Sequence, residues 1–246
     1  MSTHRKVALV TGSATGVGRA CALRFARLGY AVAVNYSKSE AEARETAAAV
    51  EATGVPVLLH KATIADDMQV RAMVARVGAE LGGLDVLVNN AATTHFVQHA
   101  DLDALTDEVW DEIFQVNLKG TFYCCRAALP LLKERQGNIV TVSSVAGLSG
   151  QGSSIPYCAS KGAVNTLTRS LARVAGPDVR VNAVAPGPIL TRWLDGREAQ
   201  IEKYLEQAAI KRAATPDDIA DAVLYLATGT TLTTGQVIVV DGGRTM

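Results

Sequence analysis

The stretch "VALVTGSATGVG", residues 7–18, runs from four apolar residues straight into a turn that holds Gly12, Gly16 and Gly18. A buried strand that feeds a glycine-rich turn and then a helix aims free backbone N–H groups at one spot, a geometry suited to a pyrophosphate. Gly12 permits the tight turn, Gly16 allows close approach and Gly18 lets the helix pack; Ser13, Thr15 and Val17 complete the candidate contact surface. The spacing is G-x-x-x-G-x-G rather than the G-x-G-x-x-G of the common fingerprint, so the turn alone leaves plain turn chemistry and nucleotide binding both open.

Working outward, short apolar runs recur: "AVAVN" from Ala31, "VPVLL" from Val55, "LDVLVN" from Leu84, "NIVTVSS" from Asn138, "VRVNAVA" from Val179 and "QVIVV" from Gln236. Each reads as a strand buried on both faces. Between them lie Ala-, Leu-, Arg- and Glu-rich helical stretches, several closed by glycine at Gly29, Gly54 and Gly82-Gly83. Strands alternating with helices give right-handed crossovers and a parallel sheet. The expected fold is α/β: a Rossmann-type, doubly wound, seven-stranded parallel sheet with helices on both faces. It forms one domain over residues 1–246. The longest stretch without a strand, roughly 186–235, contains the amphipathic "LDGREAQIEKYLEQAAIKR" from Leu194, and residues about 188–213 are expected to form a substrate lid.

Charge and composition narrow the partners. The 246 residues carry 24 basic and 24 acidic side chains with no like-charged block, so nothing marks a nucleic-acid or membrane-surface protein. The first apolar run is too short for a signal sequence or a membrane span, which points to a cytoplasmic protein. Cys21, Cys124, Cys125 and Cys158 have no metal-ligand spacing and read as small core fillers in a reducing compartment. Small molecules, or copies of the chain itself, are the expected partners.

The second strand ends at "NYSKS", Asn35 to Ser39. An NAD site offers an acidic residue there for the ribose 2′-hydroxyl. Here Tyr36 stands in its place, the next acid is Glu40, and Ser37 and Lys38 are able to receive a 2′-phosphate. NADP is therefore favoured, with NAD as the alternative. The competing reading is that Lys38 simply begins a solvated helix face.

"SSIPYCASKGAV", residues 153–164, sets Tyr157 four residues ahead of Lys161, on one face of a helix. A free phenol has a pKa of about 10, and a cation beside it has the sign needed to bring that value down toward neutral pH. Such a pair also occurs by chance on helix surfaces. Of the six tyrosines, only Tyr157 has a lysine four positions on.

With "TGSATGVG", "NNAA" at Asn89 to Ala92, "VNLKG" around Asn117, "VSS" ending at Ser144, "YCASK", "NAVAPGPILT" from Asn182 and "TGQVIVVDGG", the chain resembles the single-domain short-chain dehydrogenase/reductase family along nearly its whole length. The resemblance implies that Tyr157 is the general acid/base and that Lys161 lowers its pKa and holds the nicotinamide ribose. Ser144 would hydrogen-bond the substrate carbonyl, and Asn117 would fix a water leading to Lys161. It further implies cofactor contacts from Asn35, Ile64, Asn89 and Ala91, and from Pro186, Gly187, Ile189 and Thr191 at the nicotinamide. Thr63 stands where most members have an aspartate for the adenine amino group, so adenine is held here without charge. A homotetramer is also implied.

The function expected is oxidoreduction between a secondary alcohol and a ketone. A catalytically silent NADP-binding sensor or scaffold is the alternative from another class, and 3-oxoacyl thioester reduction is the alternative substrate class. Relatives acting on carrier-bound chains use a basic residue before the sixth strand. Here Gly176-Pro177-Asp178 fills that place and Arg135 is the remaining candidate, so a free small ketone, sugar or polyol ranks first. His95 and His99 have a metal-binding spacing only if helical and lack a third ligand. Trp110 and Phe114 read as core or subunit packing.

Overall fold

The computed structural model describes residues 4–246. Seven strands, β1 (Val7–Val10), β2 (Ala31–Tyr36), β3 (Val57–Lys61), β4 (Val86–Asn89), β5 (Asn138–Val142), β6 (Arg180–Pro186) and β7 (Val237–Val240), form one sheet in the order β3-β2-β1-β4-β5-β6-β7. Every neighbouring pair is parallel. The fold is the doubly wound, Rossmann-like one expected.

Period-two alternation explains why β1 reads as a plain apolar run. Val7 and Leu9 enter one core layer while Ala8 and Val10 enter the other. The first layer is covered by α3 (Asp67–Leu81) and α5 (Thr121–Glu134), with the carboxyl end of α7 (Ile155–Ala175). The second is covered by α1 (Gly16–Arg27) and α9 (Pro216–Leu224), with α2 (Glu40–Glu51) reaching it through Val50. All four cysteines are buried as free thiols.

The two outer strands correct one expectation. In β3 only Leu58 is buried, and in β7 Val239 is 40% exposed, because an edge strand has a neighbour on one side only. The glycine caps behave as expected: Gly82 ends α3 in the left-handed conformation, φ 83°, and its N–H donates to the Gly78 carbonyl at 3.1 Å.

The chain winds from β1 outward through β2 to β3, then returns to lay β4 on the other side of β1. That reversal opens a crevice at the carboxyl ends of β1 and β4. Over this edge rise α4 (Asp107–Phe114), the short α6 (Ala146–Ser149) and an excursion after β6 that carries α8 (Glu198–Glu206). The excursion is pinned at its base: Leu190 N–H donates to Ala214 O at 2.8 Å and Ala214 N–H to Pro188 O at 3.1 Å. Among the described residues no helix is long and apolar enough to cross a membrane.

Candidate active site

The glycine turn is held from both sides. Asn35, at the end of β2, accepts the Gly12 N–H (3.1 Å), and Asn90, just past β4, donates to the carbonyls of Thr11 and Gly12 (3.0 Å each). Gly12 has φ 61°, and a Cβ there would stand 2.8 Å from Ala91 Cα. Thr15 caps α1 without a side-chain hydrogen bond, and the first turn contains no acid, so the leading N–H groups of α1 meet no side-chain acceptor.

A cleft of about 1210 Å³ extends from this turn along the carboxyl edge of the sheet. Gly12, Thr15, Gly16, Val17 and Ala91 line its middle. Asn35, Tyr36, Ser37, Lys38, Thr63 and Ile64 line the side under β2 and β3. Ser144, Tyr157 and Lys161 line the other side, faced by Pro186, Gly187, Ile189 and Thr191.

Four residues expected at the site do not reach the cleft. Ser13 is fully buried and spends its hydroxyl on Val10 O (2.8 Å) and the Asn35 N–H (3.0 Å), so it braces the turn from behind. Gly18 is needed for packing, since a Cβ there would lie 2.5 Å from both Asn90 Nδ2 and Gly12 O. Asn89 shares the strand face of Leu87 and points into the opposite layer, where its amide donates to Cys125 Sγ at 3.2 Å. Asn90, which no reading of the sequence singles out, is the residue that faces the turn. Asn117 is the fourth: its amide accepts from Thr93 N–H (2.8 Å) and donates to Thr93 O (3.0 Å) and Ser160 Oγ (3.1 Å). It sits in a π-helical turn, Gln115–Gly120, where the widened helix swings it toward the loop after β4. With both amide hydrogens spent, its side chain ties that loop to α7 and leaves no donor for a water.

Tyr157 and Lys161 come together as the helical spacing requires. Lys161 is buried, its Nζ lies 5.7 Å from the Tyr157 ring centroid, and it donates to Val142 O at 2.9 Å. In the protein without cofactor, burial pushes Tyr157 up to about 12, with the Ser144 hydroxyl pulling the other way. Burial also pushes Lys161 down to about 8. In the protein alone, desolvation outweighs any help the lysine gives. Ser144 lies two residues past β5, and its Oγ accepts the Ala146 N–H at 3.1 Å.

Residues 12–245 match a family model described as enoyl-(acyl carrier protein) reductase. A Streptomyces violaceoruber protein, provisionally named as the second ketoacyl reductase of the granaticin polyketide synthase, is 45% identical over 96% of this chain and 95% of its own. The 3-oxoacyl-(acyl-carrier-protein) reductase FabG of Staphylococcus aureus is 40% identical over 98% of both. A short chain dehydrogenase from Burkholderia cenocepacia, solved in complex with NADP, superposes with a TM-score of 0.92 at 34% identity over 99% of both chains. The chain belongs to the short-chain dehydrogenase/reductase family.

In this short-chain dehydrogenase/reductase the cleft fits a dinucleotide phosphate. The N-terminus of α1 opens on it, and Gly16, φ 56°, keeps the approach free of a side chain. At the end of β2 the nearest acid, Glu40, is held by Arg44 at 2.7 Å and kept below the usual carboxylate range. Ser37 and Lys38 are exposed. Arg192, in a 3₁₀ turn of the excursion after β6, crosses to the same corner, donating to Ser39 Oγ at 3.1 Å and standing 3.5 Å from Glu42. No local pattern in the sequence announces this cation, because 153 residues separate it from Ser39. Thr63 Oγ1 accepts the Ala65 N–H at 3.3 Å.

Of the remaining polar and aromatic candidates, His95, His99, Trp110, Phe114 and Arg135, only His99 lines the cleft. The segment holding His95 and His99 is not helical; His95 pairs with Glu112 at 2.8 Å and His99 reaches Gly152 O at 3.2 Å. Trp110 and Phe114 stack with centroids 5.6 Å apart. Arg135 donates to the Gly82 carbonyl at the end of α3, on the sheet edge opposite the cleft.

Proposed function

We propose that this protein is an NADP-dependent oxidoreductase that interconverts a secondary alcohol and a ketone, with Tyr157 exchanging the proton at the substrate oxygen. The observation that carries the reading is Tyr157 and Lys161 side by side in the cleft that the glycine turn opens onto. NADP, when bound, supplies or takes up the hydride.

The residues' own parts follow from their placement. At neutral pH a phenol raised to about 12 is protonated, so in the reductive direction Tyr157 is ready to give its proton to the carbonyl oxygen. In the oxidative direction it must become phenolate, which the Lys161 cation and the positive charge of an oxidised nicotinamide favour. Ser144 donates to the same oxygen and stabilises its developing charge. Asn117 positions Lys161 through Ser160, its neighbour on α7. Thr15, Gly16 and Val17 meet the pyrophosphate; Ser37, Lys38 and Arg192 meet the 2′-phosphate; Thr63 and Ile64 flank the adenine; Pro186, Gly187, Ile189 and Thr191 face the nicotinamide.

Residues 188–213 act as the substrate lid, and the protein works in the cytoplasm as a homotetramer. Two relatives bear ketoacyl or 3-oxoacyl reductase names, which supports a 3-oxoacyl thioester as the second substrate reading beside a free ketone. The test is NADPH absorbance followed against ketones, sugars and acyl thioesters. Consumption of NADH alone would overturn the cofactor, and no consumption with any substrate would overturn the oxidoreductase.

A further inference from the structure

The substrate side of the cleft carries two arginines that no part of the proton and hydride chemistry uses. Arg244, near the carboxyl terminus, lies over the ring of Tyr204 in α8, with its guanidinium carbon 5.4 Å from the centroid. Its Nη2 donates to Gln151 Oε1 at 3.2 Å, and its Nε is buried with no hydrogen-bond partner. Arg197 lies over Phe96, 3.5 Å from the ring centroid. Both line the cleft, and neither makes an ion pair among the described residues.

Arg244 reaches the loop beside Tyr157, while Arg197 lines the same cleft over Phe96. Gln151 precedes Gly152, where a Cβ would lie 3.4 Å from Tyr157 Cδ1. The Tyr204 hydroxyl would stand 2.8 Å from a Cβ on Gly187, opposite. Arg244 thus bridges the loop beside the phenol to the lid helix. The one carboxylate lining the cleft among the described residues, Glu112, is committed to His95. Arg244 gives Nη2 to Gln151 and its Nε is buried, which leaves Nη1 as the donor open to a ligand, and a guanidinium held over an aromatic ring suits a carboxylate or phosphate.

We propose that Arg244, assisted by Arg197, binds an anionic group of the substrate, so that the ketone reduced here carries a carboxylate or a phosphate ester. The inference rests on the oxidoreductase reading and narrows its substrate class.

Two matched comparisons test it. One sets 2-oxopropanoate, 3-oxobutanoate and 4-oxopentanoate against their methyl esters; the other sets the 3-oxobutanoyl thioester of pantetheine 4′-phosphate against that of pantetheine. At least one anionic partner is expected to have kcat/KM about 10- to 100-fold above its neutral match. Arg244→Gln should erase that ratio, Arg197→Gln should reduce it, and Arg244→Lys should restore part of it. The first comparison reads a carboxylate and the second a phosphate. Calorimetric titration of the NADP-loaded protein with the same pairs supplies a readout independent of turnover. An acid-over-ester or phosphate-over-neutral preference in binding without turnover would sustain this inference and defeat the oxidoreductase reading. Equal handling of anionic and neutral partners in both assays, or a ratio untouched by Arg244→Gln, would overturn the inference.

Discussion

Lys161 Nζ lies 5.7 Å from the centre of the Tyr157 ring, and burial moves the two groups in opposite directions, the phenol up to about 12 and the ammonium down to about 8. Tyr157 therefore enters a reduction protonated, while Lys161 is the group whose charge changes near working pH. Ketone reduction is expected to hold steady at neutral pH and to fall as pH rises through about 8 and above, as Lys161 loses its proton. Initial rates from about pH 6 to about pH 10 at saturating NADPH, a span that brackets the lysine's transition, check this, and a profile that climbs across the range would contradict it. Tyr157→Phe should lower kcat by about 10²- to 10⁴-fold while leaving NADPH affinity intact, the range for loss of a general acid.

The same lysine affects stability. Its folded value, about 8, lies below the 10.5 of an unburied lysine, so between those values the unfolded chain binds more protons and stability rises with pH. The difference corresponds to roughly 3 kcal/mol at most, reduced by whatever the hydrogen bond to Val142 O returns. Cofactor-free Lys161→Met should therefore gain most on the wild type below about pH 8, with the gain shrinking toward pH 10.5. Urea midpoints of the two proteins from about pH 7 to about pH 10 read the difference directly. A gap that widens with pH would show that the lysine is not held against its charge.

Selectivity for NADP should depend on two cations that converge from distant parts of the chain, Lys38 beyond β2 and Arg192 from the excursion after β6. Each of Lys38→Ala and Arg192→Ala is expected to weaken NADPH binding about 10-fold, in line with a charge-assisted phosphate contact, and to leave NADH nearly unchanged. Fluorescence titration with both cofactors separates the cases. Equal loss for NADH and NADPH would mean that these residues shape the corner without reading the phosphate.

The difference between Lys38 and Arg192 also marks what the sequence could disclose. Strand runs such as Val7–Val10 and the four-residue spacing of Tyr157 and Lys161 are local periodicities, and they place the strands and set the pair on one helix face, whereas the role of the turn and of the pair comes from the family resemblance. Arg192 and Arg244 gain their meaning only when the chain folds back on Ser39 and Gln151, which no window of sequence contains. Asn89 and Asn90 illustrate a finer limit. Adjacent residues at a strand end face opposite layers, and only the side taken by Leu87 decides which asparagine meets the turn. The phenol's raised pKa is hidden for a related reason, since desolvation is a property of everything packed around it.

Two glycines of the turn should fail in different ways. Gly16 has φ 56°, and an added Cβ would meet Thr191 Cγ2 at 3.4 Å, so Gly16→Ala meets roughly 1–2 kcal/mol of backbone strain and little else. For a chain of this length that lowers Tm by roughly 2–8 °C, while the methyl group intrudes on the N-terminus of α1 and should weaken NADPH binding by about 10-fold or more. Gly18 has no strained dihedral, yet its Cβ would stand 2.5 Å from both Gly12 O and Asn90 Nδ2 and 2.8 Å from Ser13 Cα. Backbone has to move there, so Gly18→Ala should cost more stability than Gly16→Ala and remove the cofactor site with it. Thermal melts paired with NADPH titration distinguish the two variants. A Gly18→Ala protein that melts with the wild type would mean that the turn does not press on α1 as described.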